Sequence, residues 1–481
     1  MSNRTAIFRT ILLVLVCFAF LPGAQAVIPA PDGGYPGGNT AEGQSALFSL
    51  STGTYNTAVG WLSLKSATTG NLNTASGAGT LLLNSADGNT ATGAGALLSN
   101  TTGGPNTANG AFALFTNTTG NNNNAFGFQA LFSNSTGPFN NAFGNGALSG
   151  NTTGDRNTAM GEGALLANTT GFKNIAIGVS ALRNNSAGHD NIAIGQDACS
   201  QSQGGQFNTA VGSNTLESNT ANGNTAIGAF ALLNNSTGVS NTATGTGALE
   251  TNSVGIDNTA NGLNALFNNT GNDNTALGFG AGAAATTGSN SVYIGAGMVG
   301  VAGESNACYI ASIFGQTVIT GLPVLIDSNN KLGTNVSSRR FKQNIKPMGK
   351  ASEGILALQP VTFHYRSDKT RTAQYGLIAE EVAEVNPDLV VRDKEGKPYS
   401  VRYEQVNAML LNEFLKEHKT VEGQRATIAE LKSTAMKQQQ SFESKLADQK
   451  SEIDALQSGL QEVRAQLELS RPIPRMAVSG P

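Results

Sequence analysis

The chain has 481 residues, too many for one compact core, so two or more units are expected. Its 59 glycines follow no strict Gly-X-Y period, which excludes collagen, and a net charge of only −3 argues against simple disorder. The near-neutral balance also gives nucleic acid no electrostatic hold. Charge is unevenly placed: 41 of the 61 Lys, Arg, Asp and Glu residues follow position 336, and between positions 39 and 300 only Lys65, Arg156, Lys173 and Arg183 are basic. Two physically different regions therefore meet between residues 300 and 340.

Residues 1–26 read as a secretory signal peptide. Arg4 and Arg9 precede a short apolar run over residues 11–21, and Ala24, Gln25 and Ala26 supply the small residues of a cleavage site. The run is short for a membrane span, and bulky Val16 before Cys17 speaks against lipid attachment. The expected product is exported, extracellular or on the cell surface, with no transmembrane span after the signal is removed. Its remaining cysteines, Cys199 and Cys308, are too few for a disulfide framework. No Cys/His cluster has metal-ligand spacing, so no metal or cofactor is expected. His189, His364 and His418 match no catalytic signature.

After a linker at residues 27–38, the pattern Asn-Thr-Ala-x-Gly recurs with its Asn at 39, 56, 73, 89, 106, 123, 140, 157, 174, 191, 208, 224, 241, 258 and 274. The step is 17 residues except for three steps of 16. A fixed short period in an Asn/Gly/Thr-rich chain predicts stacked coils. The third position is Ala and the fifth Gly in all fifteen copies, and the ninth is Leu in thirteen. The Leu would form a ladder filling a narrow core. The Ala marks a place where nothing larger fits, inside the coil or where another chain approaches. The Gly suits turns at positive φ, and Asn residues of successive coils can pair their amides. Sixteen or seventeen residues leave room for two or three short strands per coil and for no helix. The predicted fold of residues 39–300 is therefore a mainly β structure, a long parallel β-roll or β-solenoid. Cys199 takes a Leu position and is read as a small buried hydrophobe.

The segments Asn174-Ile-Ala-Ile-Gly178, Asn191-Ile-Ala-Ile-Gly195 and Asn290-Ser-Val-Tyr-Ile-Gly295 resemble head repeats of trimeric autotransporter adhesins. The resemblance implies β-rolls in which three chains associate, and says little of a ligand; whether the rod takes a surface glycan or protein is left open by the sequence. The repeats hold few carboxylates, and none recurs as a glycosidase-like pair.

Residues 301–336 read as a transition with short strands at Cys308-Tyr-Ile, Val318-Ile-Thr and Val324-Leu-Ile. Then comes Ser337-Ser-Arg-Arg-Phe-Lys342-Gln-Asn-Ile345, which resembles the Ser-Asp-x-Arg-Leu-Lys-x-x-Ile signature of the S74 peptidases, the endosialidase-type intramolecular chaperones of phage tail spikes and fibres. Ser338 stands in place of the family's Asp and Phe341 in place of its Leu. The segments from Leu356 to Tyr365 and from Tyr375 to Val382 resemble the family's hairpin and central helix. Tyr403 and the residues after it resemble the start of its long helix. The resemblance places the catalytic Ser at Ser337, its Lys at Lys342, and the cut between Val336 and Ser337. It implies a small α+β domain at residues 337–425 that drives homotrimer assembly and releases itself once.

The residues alone say how such a pair must work. A Ser hydroxyl becomes a nucleophile when a base takes its proton, and a desolvated neutral Lys can serve. Arg339 and Arg340 place like charge beside that amine, which favours its neutral form. At a spacing of five, two side chains diverge on a helix and on a strand. A Ser337–Lys342 dyad thus needs a turn between its members, or residues from two chains.

Leu446, Ile453, Leu460 and Leu467 then recur every seven residues, with Leu456 and Val463 three later, predicting a coiled coil over residues 426–470. Pro472 and Pro474 open a tail at residues 471–481 that is expected to be disordered. The parts combine into a secreted or cell-surface fibre whose C-terminal domain assembles three chains and then cuts itself off. The alternative is a non-enzymatic adhesin or structural fibre that keeps this domain as a trimeric stalk.

Overall fold

A computed structural model describes residues 35–470; the predicted signal peptide and C-terminal tail lie outside the described residues. The chain divides into two compact units, one ending at Thr317 and the other beginning at Val318.

The first unit is a β-solenoid. Each coil contributes one strand of three residues, from β1 (Thr40–Glu42) and β2 (Thr57–Val59) through to β16 (Val292–Ile294) and β17 (Cys308–Ile310). All seventeen strands join in one parallel sheet, whose stack at ~4.8 Å per coil is roughly 80 Å long. Register follows the repeat without slippage: Thr158 lies beside Ile175, Ala159 beside Ala176 and Met160 beside Ile177. The sheet continues past residue 300 to Ile310.

The sequence suggested two or three strands per coil, and the structure has one. The reason lies in the backbone after each strand. In the coil starting at Asn157, Gly161 has φ 135°, Gly163 φ 63° and Leu165 φ 51°. An extended strand cannot pass through such residues, so the chain turns and its N–H groups reach the adjacent coils. Leu165 N donates to Ala181 O at 2.9 Å, and Ala167 N to Arg183 O at 2.9 Å. A left-handed leucine costs about 1–2 kcal/mol, whereas burying its side chain stabilises by about 1.5–3 kcal/mol. Burial decides the conformation.

The repeated Ala faces the inside of the coil. Ala159, Ala164 and Leu165 are fully buried, and the same three positions build the core in coil after coil. Two rows of asparagine flank them. In the first, Asn157 Nδ2 donates to Asn140 Oδ1 at 3.2 Å and to Gly171 O at 2.8 Å, while its backbone N–H donates to Asn140 Oδ1 at 3.0 Å. In the second, Asn168 Nδ2 donates to Asn151 Oδ1 at 2.7 Å and to Gly171 O at 2.9 Å. Buried amides are expensive unless paired, and here each coil satisfies the next. The aromatic residues at the variable fourth position also stack between coils, with the rings of Phe126 and Phe143 5.0 Å apart.

Near its C-terminal end the solenoid changes filling. Tyr293 occupies the place of the repeated Ala and is fully buried. Room for its ring comes from Gly282, which replaces the Leu of the preceding coil: a Cβ at Gly282 would lie 2.9 Å from the ring. Tyr309 stacks on Tyr293 with centroids 5.7 Å apart.

The second unit opens with a hairpin, β18 (Val324–Ile326) against β19 (Leu332–Thr334). Val318, read as the start of a short strand, is not in one. A 3-10 segment (Gly349–Ala357) follows, then the hairpin β20 (Val361–Phe363) and β21 (Gln374–Gly376), helix α1 (Ala379–Val385), and the pair β22 (Val390–Arg392) and β23 (Pro398–Val401). Ile355, Val382, Leu389, Val390, Val401 and Met409 form its core. The last element is helix α2 (Tyr403–Leu469), whose 67 residues extend ~100 Å. The predicted coiled coil is thus the distal part of one helix that begins inside the small domain. Leu446, Ile453, Leu456, Leu460, Val463 and Leu467 are all more than half exposed along it.

Candidate functional site

The segment that carries Ser337 and Lys342 has almost no burial of its own. Between Ser312 and Lys350 no residue is buried, and only Leu325 is even half-buried. Local hydrogen bonds shape it. The Asp327 carboxylate accepts from the backbone N–H groups of Asn329 and Lys331, each at 2.9 Å, and closes the turn of the first hairpin. After Ser337 the chain makes one 3-10 turn, Arg339–Phe341, in which Phe341 N donates to Ser338 O and Lys342 N to Arg339 O, both at 3.0 Å.

That turn brings the two predicted residues together. Lys342 Nζ donates to Ser337 Oγ at 3.1 Å within a single chain. Of the two routes open from the sequence, a turn between the residues or a second chain, the fold takes the turn. The Arg340 guanidinium lies over the Phe341 ring, 4.6 Å from its centroid. Val336, on the other side of the proposed scissile bond, is half exposed.

Farther along the chain a polar knot fixes the 3-10 segment at Gly349 to helix α2. Ser352 is fully buried and donates to the Glu413 carboxylate. Asn412 Nδ2 donates to Ser352 Oγ at 2.7 Å and to Gly349 O at 3.1 Å. Lys416 Nζ lies 2.7 Å from Glu413 and 3.5 Å from Glu353. Lys416 and the Ser352 hydroxyl hold the Glu413 carboxyl below the usual range, and Glu413 raises Lys416 in turn. Sequence reading missed this knot because its partners stand some sixty residues apart; only the helical spacing of Asn412, Glu413 and Lys416 hints that they share a face. Tyr403 makes a further tie, its hydroxyl accepting from Leu377 N at 3.1 Å.

The family comparison bears on this same stretch. Residues 337–391 match the family model of the S74 peptidases, described as the chaperone of endosialidase. The C-terminal unit carries an S74-type chaperone domain. The match begins at Ser337 and takes in the 3-10 turn, the second hairpin and helix α1 of the S74 domain. The S74 match together with a long β-solenoid fits a tail-fibre-like protein. No curated protein and no solved structure matches the chain.

The remaining sequence candidates fall elsewhere. Cys199 is buried in the solenoid core, where desolvation pushes its thiol up to about 12, and Cys308 is exposed. His189 stacks on Phe172 at 4.5 Å and pairs with Asp190 at 2.8 Å. His364 and His418 lie in the second unit, His418 on α2 beside Phe414. Among the described residues no group of His, Cys, Asp and Glu could hold a metal ion, and no helix is long and apolar enough to cross a membrane.

Proposed function

We propose that the S74 domain assembles three copies of this chain and then severs itself between Val336 and Ser337, leaving residues 27–336 as an exported fibre. The observation that carries the reading is the 3.1 Å approach of Lys342 Nζ to Ser337 Oγ at the first residue of the S74 match. In the reaction, the amine accepts the Ser337 hydroxyl proton and Oγ attacks the Val336 carbonyl carbon. The Val336–Ser337 amide bond breaks as its nitrogen takes up a proton, leaving Val336 as an ester on Oγ. Water then hydrolyses the ester, freeing a carboxylate on Val336 and the Ser337 hydroxyl.

In the single chain the amine is exposed and donates its own hydrogen to Oγ, the reverse of what a base must do. Removing it from water favours the neutral form. The uncovered segment around the dyad and the exposed heptad seam of α2 both support burial by neighbouring chains. Part-exposed Phe143, Met160, Ile175, Ile192 and Ile194 on the outer face of the sheet support side-by-side association of the solenoids. Assembly would then both align the rods and switch on the cut, and the cut would make assembly irreversible.

The test is a denaturing gel of the purified full chain. Wild type is expected to run as two fragments, and Ser337→Ala and Lys342→Ala each as one band. A trimer by sedimentation that stays uncut on long incubation sinks the protease half, and a monomeric precursor sinks the assembly half.

A further inference from the structure

We infer that residues 339–346 of one copy seat in a groove on a neighbouring copy, between helix α1 and the stretch around Leu358; the inference rests on the assembly reading above. The groove encloses about 180 Å³ and is lined by half-buried Leu358 and Leu377, buried Val382, and the exposed side chains of Val385, Glu381 and Glu384. Both glutamates are exposed, and among the described residues no ion pair engages either.

The proposed occupant has the opposite charge. Positions 328–352 hold Lys331, Arg339, Arg340, Lys342, Lys346 and Lys350, and no Asp or Glu. Within that stretch Phe341 is 56% exposed and Ile345 50%, so the apolar residues between the cations also lack cover. The guanidinium of Arg340 over the Phe341 ring presents an apolar face with a cation above it. That layering is complementary to an apolar lining beside exposed carboxylates. A cavity of ~150 Å³ takes a benzene ring, so the volume suits Phe341. A larger groove between the second hairpin and α2, lined by Tyr375, Tyr403 and Leu410 among others, has no carboxylate. Charge complementarity therefore selects the groove at α1.

Docking of this kind lays the neighbour's surface over Ser337 and Lys342. The arginines, which stay charged, meet the glutamates, while the lysine is shielded from water. The cut then depends on a second copy even though both dyad residues belong to one chain.

The test uses two full-length chains, both Ser337→Ala and Cys308→Ser, one carrying Ile345→Cys and the other Val385→Cys. Coexpressed and mildly oxidised, they are expected to give a disulfide-linked pair on a non-reducing gel. Adding Glu381→Lys and Glu384→Lys to the Val385→Cys chain is expected to lower linking about tenfold. Adding Arg339→Glu and Arg340→Glu to the other chain is expected to restore it. A trimer in sedimentation whose chains remain unlinked overturns the docking and leaves assembly standing. So does linking that appears only when both cysteines share one chain. A monomer overturns assembly, and the docking with it.

Discussion

Gly110 shows why the fifth position of every coil admits one residue type. Its φ is 143°, and an added Cβ would sit 2.3 Å from the carbonyl oxygen of Gly127 in the next coil. Gly163 also has positive φ, at 63°, but a Cβ there meets nothing within 4 Å. Gly110→Ala is therefore expected to cost about 3 kcal/mol or more, and Gly163→Ala only about 1 kcal/mol; thermal melts of the two variants should separate clearly. Tyr293 offers a change of opposite sign. Its hydroxyl is buried without a hydrogen-bond partner, and a buried unpaired polar group costs about 1–3 kcal/mol. Tyr293→Phe keeps the ring in the space left by Gly282 and is expected to raise the melting temperature.

Among the elements, the asparagine rows are the most regular and the most readily tested. The second row passes from Asn151 to Asn168 to Asn185, then meets Ser202 where the next Asn would stand. Asn185 Oδ1 is left without a partner at that break, and the row resumes at Asn219, whose Oδ1 accepts from Asn235 at 2.7 Å. Ser202→Asn is expected to close the gap and stabilise the solenoid by about 1 kcal/mol, read as a rise in melting temperature. The inward Leu, the single-sized Ala and the paired amides were legible in the sequence because the period repeats the Ala in all fifteen copies and the Leu in thirteen. The strand count per coil was not, because a leucine at φ 51° looks in sequence like any strand residue. The approach of Lys342 to Ser337 was legible only as a demand for a turn, which the 3-10 segment Arg339–Phe341 supplies. The knot of Ser352 with Glu413 was out of reach, since nothing local in either segment names its partner.

For the molecule as a whole, the exposed seam of α2 carries the assembly reading. Leu456 and Leu460 are 69% and 64% exposed in the single chain, a large apolar surface to leave in water along one helix. Leu456→Asp with Leu460→Asp is expected to shift the sedimenting species from trimer to monomer and, on the proposed mechanism, to abolish the cut at Val336. A variant that stays trimeric would move the subunit contact to the solenoid or to the groove at α1. Both substitutions lie in the distal half of α2, more than a hundred residues after Ser337 in sequence, so loss of cutting would report on association rather than on damage at the dyad.

The two units also differ in what acid or base can do to them. Inside the solenoid the buried polar side chains are amides and hydroxyls, with no carboxylate, ammonium, guanidinium or imidazole among them. The one buried thiol, Cys199, is held protonated to about 12. A rod stacked on neutral amides has no internal proton to gain or lose over most of the pH scale. The helical unit instead ties Ser352 to the Glu413 carboxylate, which is itself paired with the Lys416 ammonium. The rod can therefore outlast changes of surroundings that would loosen the machinery proposed to build it.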